Sequence, residues 1–171
     1  GYFSQGELTL TSDLLENLSG KKRRLVINPD QYGDSLFEIS SNATLKLQGT
    51  EDKPLTLISL QPPYFDIGEY RHLDVKGALE ADHVLFIPRQ DYPHPCSDSY
   101  TMYRANGLHF YSGSSGNLQH VTMRNLEQAL MIESDDVVVS ESIFVGNKNA
   151  TYISNVSPTL QNNRFARNCV G

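Results

Sequence analysis

The sequence predicts an all-β fold built from stacked turns of about 21 residues, and three observations support this prediction. Four six-residue segments align without gaps, and each begins and ends with an apolar residue. A further apolar residue stands eight positions before each segment. Short runs rich in Val, Ile, Leu, Phe and Tyr alternate with Gly, Asn, Ser and Asp, which is typical of brief strands joined by turns. The pattern therefore predicts a solenoid of short strands.

The repeat also predicts which side chains stack. The aligned segments are Ala81–Phe86, Leu118–Met123, Val139–Phe144 and Leu160–Phe165, and the preceding apolar residues are Leu73, Phe110, Met131 and Tyr152. The last three units are spaced by 21 residues, and no amphipathic stretch long enough for a packing helix lies between Gly107 and Gly171. We therefore expect three strands per turn and two internal stacks, one of Phe110, Met131 and Tyr152 and one of Met123, Phe144 and Phe165.

Several turns resemble the right-handed parallel β-helix repeat family. Phe144–Asn147 and Phe165–Asn168 both read Phe-x-x-Asn, an ending common in that family, and Asn42–Ser59 looks like the first turns of secreted β-helices. The resemblance covers roughly residues 36 to 171 and implies a right-handed single-stranded parallel β-helix. Asn147 and Asn168 would then share a column, either as an amide ladder or as separate turn residues. No activity is implied, because this fold serves lyases, hydrolases, phage tailspikes, adhesins and junction ectodomains.

The segment before the repeats predicts an N-terminal cap over residues 1–35, followed by coils over 36–171 in a single domain or segment. Its helix signals are the start at Ser12 and Asp13, the apolar face of Leu14, Leu15 and Leu18, and the end at Gly20. We expect this helix to cover the first turn, because an open end would expose strand edges and apolar side chains. The sequence stops in mid-repeat, so we expect further turns after Gly171, or a partner, to cover the last one.

An insertion near residues 87–105 interrupts the repeat, because Phe86 and Met123 lie 37 positions apart where the repeat places them 21 apart. Long loops on rigid scaffolds often carry binding sites. We predict that four of its residues bind a ligand: Tyr92, His94, Tyr100 and Tyr103. Tyrosine rings can stack on sugars or anchor a protein partner. The alternative is that these side chains pack on the coil and meet no ligand.

The repeat places His83, His120 and Glu141 in one column together with Asn162. Two imidazoles and a carboxylate at successive turns can bind a divalent metal, or the carboxylate can orient a histidine that acts as a general base. A zinc site needs three or four convergent ligands, so we favour a solvated turn column and predict no metal. Walker and dinucleotide-binding motifs are missing, and we predict no cofactor.

Glu133 and Asp135 are further candidates for catalysis, because residues two apart on a strand share a face. Paired carboxylates across a sugar bond are the machinery of glycoside hydrolases. The motifs that accompany such a pair in polygalacturonases, and the clustered calcium-binding Asp residues of pectate lyases, are not found in this sequence. We therefore favour a turn role for Asp135 and its neighbour Asp136.

Charge and composition restrict the partners. Fourteen basic and twenty acidic residues give a net charge of -6, with no basic stripe threaded by aromatics, so we expect no nucleic acid. No apolar run approaches the length of a membrane span, so we expect no membrane insertion by this segment. Asn17, Asn42 and Asn149 begin N-glycosylation triplets and indicate secretion, whereas Cys96 and Cys169 leave the compartment and their own pairing open.

Together these features favour a secreted or cell-surface glycoprotein segment without catalytic activity, which presents the Tyr-rich insertion to a glycan or protein of a cell or matrix surface in carbohydrate binding or adhesion. One alternative is a polysaccharide lyase or glycoside hydrolase, with a groove beside Glu133, Asp135 and the His83 column. The other is a structural shaft segment of a larger ectodomain or viral spike.

Overall fold

The computed structural model describes residues 2–19, 23–27, 37–59, 73–88, 96 and 106–170. The elements are β1 (Tyr2–Thr11), α1 (Ser12–Ser19), β2 (Arg24–Ile27), β3 (Phe37–Gln48), β4 (Leu55–Ser59), β5 (Leu73–Val75), β6 (Ala78–Asp82), β7 (Val84–Pro88), β8 (Leu108–Phe110), β9 (Ser115–Gln119), β10 (Thr122–Arg124), β11 (Gln128–Ile132), β12 (Val137–Ser140), β13 (Ile143–Val145), β14 (Asn149–Ile153), β15 (Thr159–Gln161) and β16 (Arg164–Ala166). Within these ranges no helix has the length and apolar character needed to cross a bilayer.

The strands pair in parallel and form three columns. The first column contains the starts of β1 and β3, then β5, β8, β11 and β14, and the second contains the ends of β1 and β3, then β6, β9, β12 and β15. The third column contains β2, β4, β7, β10, β13 and β16. From β5 onward the chain visits the columns in the constant order first, second, third. Residues that are far apart in the sequence therefore lie side by side on neighbouring strands of one column. Together they form surfaces to which several strands contribute.

The register of the second and third columns agrees with the repeat. Ala81 pairs with Leu118, which pairs with Val139 in the next strand. In the third column, Met123 pairs with Phe144 and Phe144 with Phe165, and the last two rings stack with their centroids 4.9 Å apart. The predicted stack of these three residues is therefore confirmed. Met123 and Phe144 are buried, whereas Phe165, in the last strand of its column, is 43% exposed.

The other predicted stack is wrong by one residue. Phe110 pairs with Ile132 rather than with Met131, and Met131 pairs with His109 on one side and Tyr152 on the other. Because alternate side chains of a strand face opposite ways, this shift exchanges the inner and outer sets. Phe110 and Ile132 are fully buried in the core, whereas Tyr152 is 52% exposed. The outer face of the first column thus carries His109 and Met131.

Unequal turns cause this difference. Gly116 pairs with Val137, and it follows Phe110 by six positions, whereas Val137 follows Ile132 by only five. The turn after β8 therefore contains one additional residue, and it uses Gly113 at a φ of 80°, which glycine adopts at little cost. An alignment of the sequence at a fixed period does not detect an additional residue in one turn.

Amide side chains join successive turns where the third column leads back to the first. Leu126 N donates to Asn147 Oδ1 at 3.0 Å, and Asn147 Nδ2 donates to Met123 O at 3.0 Å. Asn147 Nδ2 also lies 3.1 Å from Asn168 Oδ1, which accepts its hydrogen bond. Of the two alternatives for these asparagines, the amide ladder is the one that the structure contains.

Helix α1 begins differently from the prediction. Leu14 N donates to Thr11 Oγ1 at 3.1 Å, so Thr11 caps the helix, while Ser12 Oγ donates to Lys53 O at 2.7 Å. Leu15 joins the core, whereas Leu14 is 40% exposed, so the leucines do not share one buried face. The side chain of Leu18 lies outside the described residues.

Candidate functional site

A polar cluster covers the outer face of the first column. Backbone pairing aligns Glu38 with Asp74 and Asp74 with His109 on three adjacent strands. The turns after β5, β8 and β11 add further polar side chains beside them. We call the set the His109 cluster: Glu38, Asp74, Lys76, His109, Tyr111 and Glu133.

The imidazole of His109 lies between two carboxylates. Its Nε2 is 3.4 Å from Glu133 Oε2, and its Nδ1 is 4.0 Å from Asp74 Oδ1. Its ring stacks on Tyr111 with centroids 3.8 Å apart. His109 and Asp74 are both buried, at 8% exposure each, so their charges are less screened by solvent than those of surface groups.

Burial sets the protonation states of this pair of rings. Desolvation lowers the pKa of His109 from its usual value, against an opposing effect of Glu133, so the imidazole is neutral at pH 7 and able to accept a proton. Desolvation also raises the pKa of Tyr111, so its phenol retains its proton. The arrangement therefore places a potential base and a potential acid in contact.

Lys76 completes this cluster. Its Nζ donates to Glu38 Oε2 at 2.9 Å and lies 5.5 Å from the centroid of the Tyr111 ring, within the range of a cation–π interaction. The hydrogen bond to Glu38 raises the pKa of Lys76, and the lysine remains cationic. One cation thus faces three acidic side chains in the His109 cluster.

A second polar cluster occupies the turn between the second and third columns. His83, His120, Glu141 and Asn162 adopt φ values of 50°, 50°, 51° and 56°, so they occupy equivalent left-handed positions at successive turns. This agrees with the predicted column. The rings of His83 and His120 lie 4.3 Å apart.

Asp82, which the sequence analysis did not include, is the carboxylate beside both imidazoles. Its Oδ1 lies 2.8 Å from His83 Nδ1 and 2.9 Å from His120 Nδ1. Glu141, for which the orientation of a histidine was the less favoured interpretation, accepts a hydrogen bond from Asn162 Nδ2 at 2.8 Å. This cluster therefore contains Asp82, a residue from outside the predicted column, as well as the two histidines of that column.

The candidate carboxylates Glu133 and Asp135 have different partners. Glu133 belongs to the His109 cluster, whereas Asp135 is exposed and accepts a hydrogen bond from Ser157 N at 2.6 Å. Ser157 lies 22 positions later in the sequence, so this bond joins Asp135 to the following repeat unit. Among the described residues, Glu133 and Asp135 thus share no hydrogen-bond or ion-pair partner.

The insertion leaves the third column after Pro88, two residues later than the predicted start at Ile87, and the described chain resumes at Asn106, directly after the predicted end at Ala105. Its candidate ligand-binding residues, Tyr92, His94, Tyr100 and Tyr103, lie outside the described residues. Within it, Cys96 is described and forms a disulfide with Cys169, with a Cα–Cα distance of 5.3 Å. This answers the question of cysteine pairing that the sequence left open.

The three glycosylation candidates differ in accessibility. Asn17 in α1 and Asn42 in β3 are exposed, and each side chain is open to modification. Asn149 is only partly exposed at the start of β14, where its backbone N donates to Glu127 O at 2.8 Å.

Of the His109 cluster, only Glu133 was a candidate from the sequence, and Glu38, Asp74, Lys76, His109 and Tyr111 were missed. The signal that would have found them is the register of the first column, in which Asp74 and His109 are direct neighbours. Comparison with protein-family models, curated proteins and solved structures finds no match to this chain. The chemistry of its own residues is therefore the basis for assigning a function.

Proposed function

We propose that this chain is a segment of an extracellular right-handed parallel β-helix that binds a glycan through its insertion and the adjoining outer face of the first column. Three columns of parallel strands, visited in constant order, support a solenoid. In this proposal α1 caps the first turn, which the burial of Leu15 in the core supports.

The observation that carries the proposal is the Cys96–Cys169 disulfide. Cys169 precedes Val170, which bridges in parallel to Asn149 at the start of β14 in the first column. The insertion follows β7, three turns earlier, so the bond holds Cys96 about 14 Å along the stack, at strand spacings of about 4.8 Å. A fixed loop loses less entropy on binding a ligand. Disulfides also persist in oxidising compartments, which supports an extracellular location.

The charge of the His109 cluster indicates the class of glycan. Glu38, Asp74 and Glu133 face a single lysine, Lys76, and the whole chain carries a net charge of -6. A polyanion such as a uronate-rich chain would meet repulsion there. A neutral polysaccharide avoids this repulsion, and its sugar rings can stack on tyrosine faces.

Binding to immobilised neutral polysaccharides tests the proposal. A variant with Tyr92, Tyr100 and Tyr103 changed to Ala is expected to bind at least about tenfold more weakly, since each lost aromatic anchor removes about 1 kcal/mol or more. Ile143→Ala removes an apolar side chain that is 39% exposed on the third column and is the control, with unchanged binding expected. Wild-type affinity in the triple variant would exclude the insertion as the binding element.

A separate variant tests the contribution of the disulfide to binding. A variant with both Cys96 and Cys169 changed to Ser retains the tyrosines but releases the insertion. Its affinity is expected to fall with association slowed, because the loop must be ordered on binding. Equal affinity in the two proteins would contradict the role given to the disulfide.

A second candidate function is polysaccharide cleavage at the His109 cluster, favoured by the neutral imidazole between Glu133 and Asp74 and the protonated phenol of Tyr111. A lyase needs one group that removes a proton and another that protonates the leaving group in the same elimination, whereas a hydrolase needs two carboxyl groups. Reducing-end release and unsaturated-product absorbance, measured on neutral and uronate-rich polymers, distinguish these reactions. Full activity of both Glu133→Gln and His109→Asn would exclude this site, and Asp135→Asn serves as the control outside it.

A further inference from the structure

We propose that Asp82, His83 and His120 form a binding site for one divalent transition-metal ion of the Zn²⁺ class. This site is separate from the insertion and from the His109 cluster, so it stands or falls independently of the proposed function. The sequence predicted no metal here, because a zinc site needs three or four convergent ligands and the column offered two imidazoles and Glu141. The structure supplies the third ligand.

The ligand atoms already converge. One ligand atom from each of Asp82, His83 and His120 lies within 4.8 Å of the other two. Asp82 Oδ1 is 2.8 Å from His83 Nδ1 and 2.9 Å from His120 Nδ1. In a tetrahedral zinc site with bonds near 2.0–2.1 Å, neighbouring ligand atoms are about 3.3 Å apart. To admit the ion, the two distances from Asp82 to the histidines would each have to lengthen by roughly 0.5 Å.

An unsatisfied nitrogen points to the same place. Although His83 Nδ1 lies 2.8 Å from Asp82 Oδ1, it is shielded from water and has no hydrogen-bond partner among the described residues. Buried polar atoms of this kind call for an explanation, and a bound ion is one of the standard explanations. A metal would take the lone pair of a neutral imidazole there.

The backbone preorganises the site. His83 N donates to Gln119 O at 3.2 Å, and His120 N donates to Ser140 O at 3.3 Å, so each histidine is held by the following turn. Both residues adopt a φ of 50°, and the rings project from equivalent positions of adjacent turns with centroids 4.3 Å apart. Little order has to be created when an ion binds, because two of the three ligands are already held in place.

The donor set selects the class of ion. Two imidazole nitrogens and one carboxylate oxygen suit Zn²⁺, Cu²⁺ and related ions, whereas Ca²⁺ and Mg²⁺ prefer sites built from oxygen alone. Three protein ligands leave a coordination position for water. The side chains of Asp82 and His120 are 49% and 40% exposed, so an ion has access from solvent.

The same column provides a matched control. Glu141 and Asn162 occupy equivalent left-handed positions at the following turns, but they bond to each other at 2.8 Å. Asn162 also shows that asparagine is accommodated at this backbone conformation, with a φ of 56°. Asn substitutions at His83 and His120 therefore remove the imidazole without straining the turn.

Isothermal titration with ZnCl₂, on the chain with its disulfide intact, tests the proposal. The wild-type protein is expected to bind one Zn²⁺ at a saturable site. His83→Asn, His120→Asn and Asp82→Asn are each expected to weaken binding by about 10- to 100-fold or more, since even outer-shell partners of metal ligands contribute that much. Glu141→Gln is expected to bind as the wild type does. Far-UV circular dichroism of each variant confirms that the fold is retained.

Two results would overturn the proposal. One is the lack of saturable binding at millimolar Zn²⁺, and the other is wild-type affinity in either histidine variant, which would place the ion at other ligands such as His72 or His94. Electron paramagnetic resonance of the Cu²⁺-loaded protein gives a readout independent of affinity. Hyperfine coupling to two imidazole nitrogens is expected, and it should fall to one nitrogen in His83→Asn. Coupling that is identical in the wild type and this variant would also refute the assignment.

Discussion

Replacing Asn147 with alanine tests how strongly the corner amides hold adjacent turns together. Asn147 is fully buried, and its side chain accepts a hydrogen bond from Leu126 N and donates one to Met123 O, both at 3.0 Å. Alanine leaves this buried N–H and this buried C=O without the partner that the side chain provided. It also removes the bond between Asn147 Nδ2 and Asn168 Oδ1.

The size of the effect follows from these losses. A buried polar group left without its hydrogen bond costs about 1–3 kcal/mol, so two of them cost about 2–6 kcal/mol. A typical domain has a free energy of unfolding of only about 5–15 kcal/mol, so the variant should lose a large share of its stability. Urea denaturation followed by far-UV circular dichroism measures this as a lower midpoint.

Asn117→Ala, at an exposed position of β9, is the matched control and is expected to change the unfolding free energy by less than about 0.5 kcal/mol. A loss below about 1 kcal/mol for Asn147→Ala would show that water or a shifted backbone replaces the side chain. The ladder would then not be what couples the turns, and the argument from buried amides would be refuted.

Three further predictions concern other parts of the fold. Gly116→Ala is expected to lower the unfolding free energy in urea by about 1–3 kcal/mol, because the new Cβ would lie 2.7 Å from Cζ of the buried Phe110 ring. An unchanged urea midpoint would mean that the ring moves freely. Changing Cys96 and Cys169 together to Ser removes a link across a sequence separation of 73 residues and is expected to lower the unfolding free energy by about 4 kcal/mol. A loss of less than about 1 kcal/mol would count against a tethered insertion. Burial lowers the pKa of His109 below its ordinary value of 6.5, so the unfolded chain binds more protons than the folded chain between the two pKa values. Stability should therefore fall as pH decreases from 6.5 through the folded pKa, and His109→Asn should flatten that slope. An identical pH profile in the variant would contradict this.

The sequence alone was sufficient for the periodic part of the structure. Equal spacing predicted that Met123, Phe144 and Phe165 lie in register, and the gapless alignment of the six-residue segments placed His83 and His120 at equivalent turn positions. Both predictions succeed because, from β6 onward, the turns between the second and third columns have constant length. A constant length preserves the register from one unit to the next.

The first column could not be predicted in the same way, because the turns that follow it vary in length. One additional residue after β8 brings His109 rather than Phe110 beside Met131. Since a shift by one position reverses the inner and outer faces, the polar neighbours of His109 were hidden from any fixed-period alignment.

What the sequence by itself determined is thus the spacing of the strands, the residue types of the core and the position of the insertion. Only the tertiary structure decided which side chains meet across columns and turns: Asp82 with two imidazoles, His109 with Glu133, and Cys96 with Cys169. The physical reason is that a repeat specifies separation along the chain, whereas these contacts depend on turn length and side-chain direction, which are settled when neighbouring strands pack against one another.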